Sequence, residues 1–84
     1  MTFEEFVSHV HTLGSCYDLS ITSWGRSKKH NAAVEGKPNS RHRLWLAVDI
    51  VLDEESDQGF FLEDCKRMGL IAVVETDHIH VQSP

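Results

Sequence analysis

The sequence predicts a small α+β domain: an antiparallel or mixed sheet packed on two helices. Three observations carry that expectation. Phe3, Phe6, Val7, Val10 and Leu13 recur at helical spacing. Leu44, Leu46, Val48, Ile50 and Leu52 alternate strictly with Arg43, Trp45, Ala47, Asp49, Val51 and Asp53, as one face of a strand does. Phe61, Leu62, Cys65 and Met68 then return to helical spacing before two short β-rich segments complete the sheet. With 84 residues, positions 1–84 form a single domain. A chain this short buries only roughly 60% of the surface that its unfolded form exposes, so a bound metal ion would help to hold it together.

The first helix is expected over roughly residues 3–13. Thr2 and Glu5 fit a capping box, and Gly14 is a suitable stop. His9 and His11 lie off or at the margin of the apolar stripe and are expected to be solvated. Leu19–Ser23 reads as a strand ending in Trp24-Gly25-Arg26-Ser27. Lys28–Val34 has the composition for a helical turn or two, and Glu35–Ser40 that of a loop. In the alternating segment the even positions face the core, which turns Asp49 and Ala47 to the other face. Asp53–Asp57 is an acidic turn suited to the positive end of a helix dipole, and Gly69 stops the helix that follows. Leu70–Val74 is a run of apolar residues expected as a buried strand. After a polar break at Glu75-Thr76-Asp77, Ile79-His80-Val81 would close the sheet.

Composition removes several classes of function. Hydrophobic residues make up 40% of the chain, too many for disorder. The net charge is −5 with no basic block, which argues against nucleic acid as the partner. No run is long enough to span a membrane, and the acidic N-terminus lacks the pattern of a signal peptide. The expectation is a monomer made in the cytoplasm that acts elsewhere only if lysis or a pore releases it. Cys16 and Cys65 have no CxxC spacing and are expected to be small buried hydrophobes.

The chemistry concentrates in two stretches. Ser40-Arg-His-Arg-Leu-Trp-Leu-Ala-Val-Asp49 sets an imidazole and a carboxylate seven positions apart, and Asp77-His-Ile-His80 adds a His-x-His pair. Zinc takes imidazole nitrogen and carboxylate oxygen in a tetrahedral set, and three protein ligands leave a position for water. His42, Asp49 and His80 are the candidate ligands. A carboxylate near them would take the proton as water attacks a carbonyl. Asp77 is the first candidate, provided that regular strand geometry begins after it, and Glu75 is its rival. His78 and His80 share a strand face. Trp24 could stack on a substrate, or pack at the rim of the core.

These residues also carry a resemblance to a family. Ser40-x-His42-x-x-Trp45-x-Ala47-x-Asp49 resembles the Ser-x-His-x-x-Gly-x-Ala-x-Asp signature of the M15 zinc D-Ala-D-Ala carboxypeptidases, relatives of the hedgehog signalling domain. Asp77-His78-Ile79-His80-Val81 resembles their second motif, and Ile21–Ser27 with His30-Asn31 their Arg-Ser segment; Glu35-Gly36 stands where they have a Gly-Gly turn. The resemblance runs from about Leu19 to Gln82. It implies a hedgehog/DD-peptidase type of fold, zinc on His42, Asp49 and His80, and Asp77 as general base. It further implies that Arg26 binds a substrate carbonyl or carboxylate, that His78 orients the base or the transition state, and that Ser40 supports the His42 loop or touches substrate. The implied substrate is a peptidoglycan stem peptide, cut beside a D-amino acid. Trp45 departs from the signature, which has Gly there. By alternation it would lie on the Asp49 face, about 13 Å along the strand. That departure and the short chain keep a second expectation open, a non-catalytic zinc-binding module of the same fold.

Overall fold

A computed structural model describes residues 1–25 and 45–84. The predicted helical turn at Lys28–Val34 and loop at Glu35–Ser40 lie outside these residues. The described chain builds α1 (Phe3–Cys16), β1 (Leu19–Trp24), β2 (Ala47–Leu52), a 3₁₀ turn (Glu55–Asp57), α2 (Gln58–Arg67), β3 (Ile71–Val74) and β4 (Ile79–Gln82). The strands form an open antiparallel sheet in the order β1-β2-β4-β3. With two helices this is the α+β architecture that the patterning predicts, and the sheet is antiparallel throughout. Among the described residues no helix is long and apolar enough to cross a membrane.

α1 starts where its cap dictates. The Thr2 hydroxyl accepts from the Glu5 amide and the Glu5 carboxylate accepts from the Thr2 amide, so two orphan donors are satisfied reciprocally. The bond from Thr2 also holds the Glu5 carboxyl below its ordinary value. Gly14 does not stop the helix, which runs on to Cys16. It ends because Tyr17 takes an extended conformation (φ −131°) while its amide still reaches the Leu13 carbonyl at 3.0 Å. Two extra residues change the fate of Cys16. Phe6, Val10 and Leu13 form the buried stripe, and Tyr17 takes its next place at helical spacing. Cys16 is turned off that stripe and is exposed, contrary to its expected burial, whereas Cys65 is buried as expected.

Both helices contribute to one face of the sheet. Phe6, Val10 and Leu13 from α1 and Phe61 and Cys65 from α2 cluster with Val48, Ile50, Ile79 and Val81 of the two central strands. The rings of Tyr17 and Phe61 meet edge to face at 5.5 Å, and Tyr17 donates its hydroxyl to the Asp64 carboxylate. The acidic turn becomes the 3₁₀ turn and leads into α2, and Gly69, at φ +75°, lets the chain leave that helix.

Two strand expectations need correction. β2 begins at Ala47, later than the alternation predicts. Trp45 sits in a turn with φ +61°, a left-handed conformation that breaks the pleat, so alternation does not carry its side chain to the Asp49 face. Its ring lies instead over Gly25, where an added Cβ would fall 2.2 Å from Trp45 Cε3. β3 is a strand but not a buried one. It is an edge of the described sheet, and Ile71, Val73 and Val74 are 44%, 45% and 48% exposed. An apolar run reads as doubly covered by default; here Leu70, ahead of the strand, is in the core and Ala72 alone of β3 packs against it.

Candidate functional site

The pairing of β2 with β4 sets Asp49 directly opposite His80. Core residues Val48, Ile50, Ile79 and Val81 fix the parity of both strands, so Asp49 and His80 share the face turned away from the helices. The pair is close: His80 Nδ1 lies 3.2 Å from Asp49 Oδ1. His78, just before β4, brings Nε2 to 3.6 Å from the same oxygen. Its other nitrogen, Nδ1, donates to Asp77 Oδ1 at 2.7 Å. One imidazole therefore bridges two carboxylates. All three central side chains are partly covered, with 18% of Asp49, 21% of His80 and 28% of His78 exposed, whereas Asp77 is 86% exposed. The bond from His78, and then its charge, hold the Asp77 carboxyl below its ordinary value.

Gln82 enters the site without having been foreseen. It lies two residues beyond His80 on the same face, and its Oε1 stands 2.8 Å from His80 Nε2. The signal was available in the parity of β4, but a glutamine is neither a usual zinc ligand nor a proton carrier. His80 is thus flanked by an oxygen at each ring nitrogen, whereas a neutral imidazole carries one N–H. Such a ring can be satisfied by a half-turn of the Gln82 amide or by a cation between Nδ1 and Asp49 Oδ1.

The last of these fits zinc. Two ligands about 2.0–2.1 Å from a tetrahedral ion stand roughly 3.3 Å apart, close to the 3.2 Å between His80 Nδ1 and Asp49 Oδ1. The remaining nitrogen then rests on Gln82, as ligating histidines generally rest on an acceptor. The described residues supply two donors of the predicted set. His42, the third, lies outside them, as do Ser40 and Arg26, and no cluster of three or more such donors forms among the described residues alone.

Asp77 precedes β4, which begins at Ile79, so the condition that it stand outside the regular strand is met. It approaches the pair through His78. Glu75 is exposed, and its amide donates to the His78 carbonyl at 2.8 Å. Trp24 has its indole at an edge-to-face distance of 6.2 Å from Phe6, and its Nε1 donates to the Trp45 carbonyl at 3.1 Å. Those contacts tie the ring to the core and to the turn that opens β2. A cavity of about 170 Å³ adjoins the site and is lined in part by Glu55, Glu75, Asp77 and His78.

A family model described as Peptidase M15 matches residues 2–82. No curated protein and no solved structure matches the chain.

Proposed function

The chain belongs to the Peptidase M15 family, whose members are typically zinc-dependent, and from that premise we propose that it hydrolyses peptide bonds in peptidoglycan stem peptides. The observation that supports this most is the cross-strand pair of Asp49 and His80 at the spacing of two ligands on one tetrahedral ion. With His42 they would hold zinc, which when bound supplies an electrophile that makes water a nucleophile at neutral pH.

The residues around the pair divide the remaining work. Gln82 holds His80 by Nε2 and leaves Nδ1 turned to Asp49. Asp77 accepts the proton of the attacking water and returns it to the leaving amine. His78 connects that carboxylate to Asp49 and keeps both aligned. Arg26 would bind a carbonyl or terminal carboxylate of the peptide, and Ser40 would support the His42 segment or touch substrate. A protein of this kind would meet its substrate after release from the cell.

Incubating zinc-loaded protein with muropeptides and reading the products by mass spectrometry tests the proposal. Cleavage is expected, and it should vanish in Asp77→Ala while zinc is retained. Unchanged cleavage in that variant would remove Asp77 from the role of base. The exposure of Asp77 favours one alternative, a zinc-binding module without turnover. That reading predicts stoichiometric zinc and a marked loss of thermal stability on chelation, with no product from any wall peptide.

A further inference from the structure

The candidate metal pair continues sideways into an apolar strip. Val73 of β3 pairs with His80, and Ile71 pairs with Gln82. Asp49, His80 and Val73 therefore form one row across three adjacent strands, and Ala47, Gln82 and Ile71 form the next. Residues directly opposed across an antiparallel pair have Cβ atoms about 4.5–5.5 Å apart, so Val73 stands beside His80 on the face away from the helices. Val73 and Ile71 are 45% and 44% exposed. Exposed edge strands are commonly blunted by charge or proline; Ile71-Ala-Val-Val74 has neither.

We propose that Val73, with Ile71 beside it, is a specificity-determining wall of the substrate cleft. It receives an aliphatic side chain of the peptide residue next to the bond that is cut. The inference rests on the peptidase reading given above. A rival arrangement, with the peptide added as a new strand on the outer side of β3, is geometrically poor. Strands lie about 4.8 Å apart, so such a peptide would run about 10 Å from β4 and farther from β2. A peptide that reaches Asp49 and His80 must cross over the face, and crossing it there brings a side chain onto Val73 and Ile71. A charged side chain at that place would be desolvated against valine and isoleucine without a partner, which disfavours it.

The test uses the zinc-loaded full chain and synthetic stem-type peptides that differ at one residue, alanine or lysine. Binding is read by fluorescence anisotropy and hydrolysis by mass spectrometry. Val73→Asp is expected to reduce the preference for the alanine peptide at least tenfold in both readouts, with zinc stoichiometry unchanged. Val73→Thr keeps the β-branched shape and should move the preference in the same direction by less, which guards against a variant that fails to fold. Val74→Ser, at the neighbouring position of opposite parity, should leave the preference unaltered. A preference that neither Val73 variant moves overturns the proposal. So does self-association on sedimentation that Val73→Asp abolishes while the preference stays, because the strip would then join two copies of the chain. A Val73-dependent preference in binding without hydrolysis would sink the peptidase reading and keep only Val73 as a wall against the bound peptide. Hydrolysis with an unmoved ratio would do the reverse.

Discussion

The eight paired residues of β2 and β4 divide four and four between two faces that do different things. On one face Val48, Ile50, Ile79 and Val81 are all at most 4% exposed and pack against both helices. On the other, Ala47 is buried while Asp49 and His80 remain partly open and Gln82 reaches the His80 ring. The apolar face holds the fold together, since each fully buried Val or Ile contributes about 1.5–3 kcal/mol. The polar face contributes little of that, because its hydrogen bonds replace bonds to water. The difference teaches that a period of two lets one strand pair separate stability from chemistry. Substitutions should therefore separate as well, one face answering in melting temperature and the other in zinc and turnover.

The sharpest division is expected from Asp49→Ala. It should lower hydrolysis of muropeptides by roughly 10³-fold, on the scale of losing a group that stabilises charge in the transition state, and should abolish zinc binding. Its far-ultraviolet circular dichroism should match that of the metal-free wild type. Collapse of the fold in that variant would break the comparison. On the opposite side, Phe61→Ala removes a fully buried ring that meets Tyr17 edge to face. It should cost about 3–5 kcal/mol in urea unfolding, a large part of the total for a domain of this size. A loss below about 1 kcal/mol would mean that the helices hold the sheet less tightly than the core implies.

Gln82→Leu examines the polar face more finely. Removing the partner of His80 Nε2 should weaken zinc affinity about 10- to 100-fold, as measured by competition with a chromogenic chelator. The stability of the metal-free protein should barely change. Smallest is a pH effect on the apolar side. The hydrogen bond to Asp64, followed by burial and the charge of that carboxylate, raises the Tyr17 hydroxyl from 10.0 to about 12. Below pH 10 the phenol is protonated in both folded and unfolded chains. Between about pH 10 and 12 only the unfolded chain loses the proton, so the contribution of Tyr17 to stability is present below that window and lost as pH rises through it. Denaturant midpoints over this range should fall in the wild type and fall less in Tyr17→Phe.

Much of this division was legible in the sequence, for reasons that differ by residue. Thr2 and Glu5 announce the start of α1 because a capping box is local chemistry. Val48, Ile50, Ile79 and Val81 announce the core because parity along a strand is local too. The meeting of Asp49 with His80 needs the register between distant strands, and two aligned apolar faces set that register. What sequence did not yield depends on the layers around each element. The exposure of Ile71 and Val73 follows from β3 being at an edge, which no run of apolar letters encodes. The end of α1 at Cys16 depends on Tyr17 leaving the helix, against the pull of Gly14 as a stop. Gln82 went unnoticed because its part in the site comes only through the ring of His80. The expected ligand His42, with Ser40 and Arg26, stands outside the described residues.

Trp45 and Gly25 form the remaining link, and its consequence is genetic. A side chain at position 25 is refused twice, once by the left-handed backbone (φ +69°) and once by the indole ring already in that space. Shrinking Trp45 lifts the second refusal and leaves the first, roughly 1–2 kcal/mol for an L-residue held in that conformation. Positions twenty residues apart thus behave as a single locus: a change at 25 is tolerable only in a background altered at 45, and the order in which the two arise decides whether the intermediate survives.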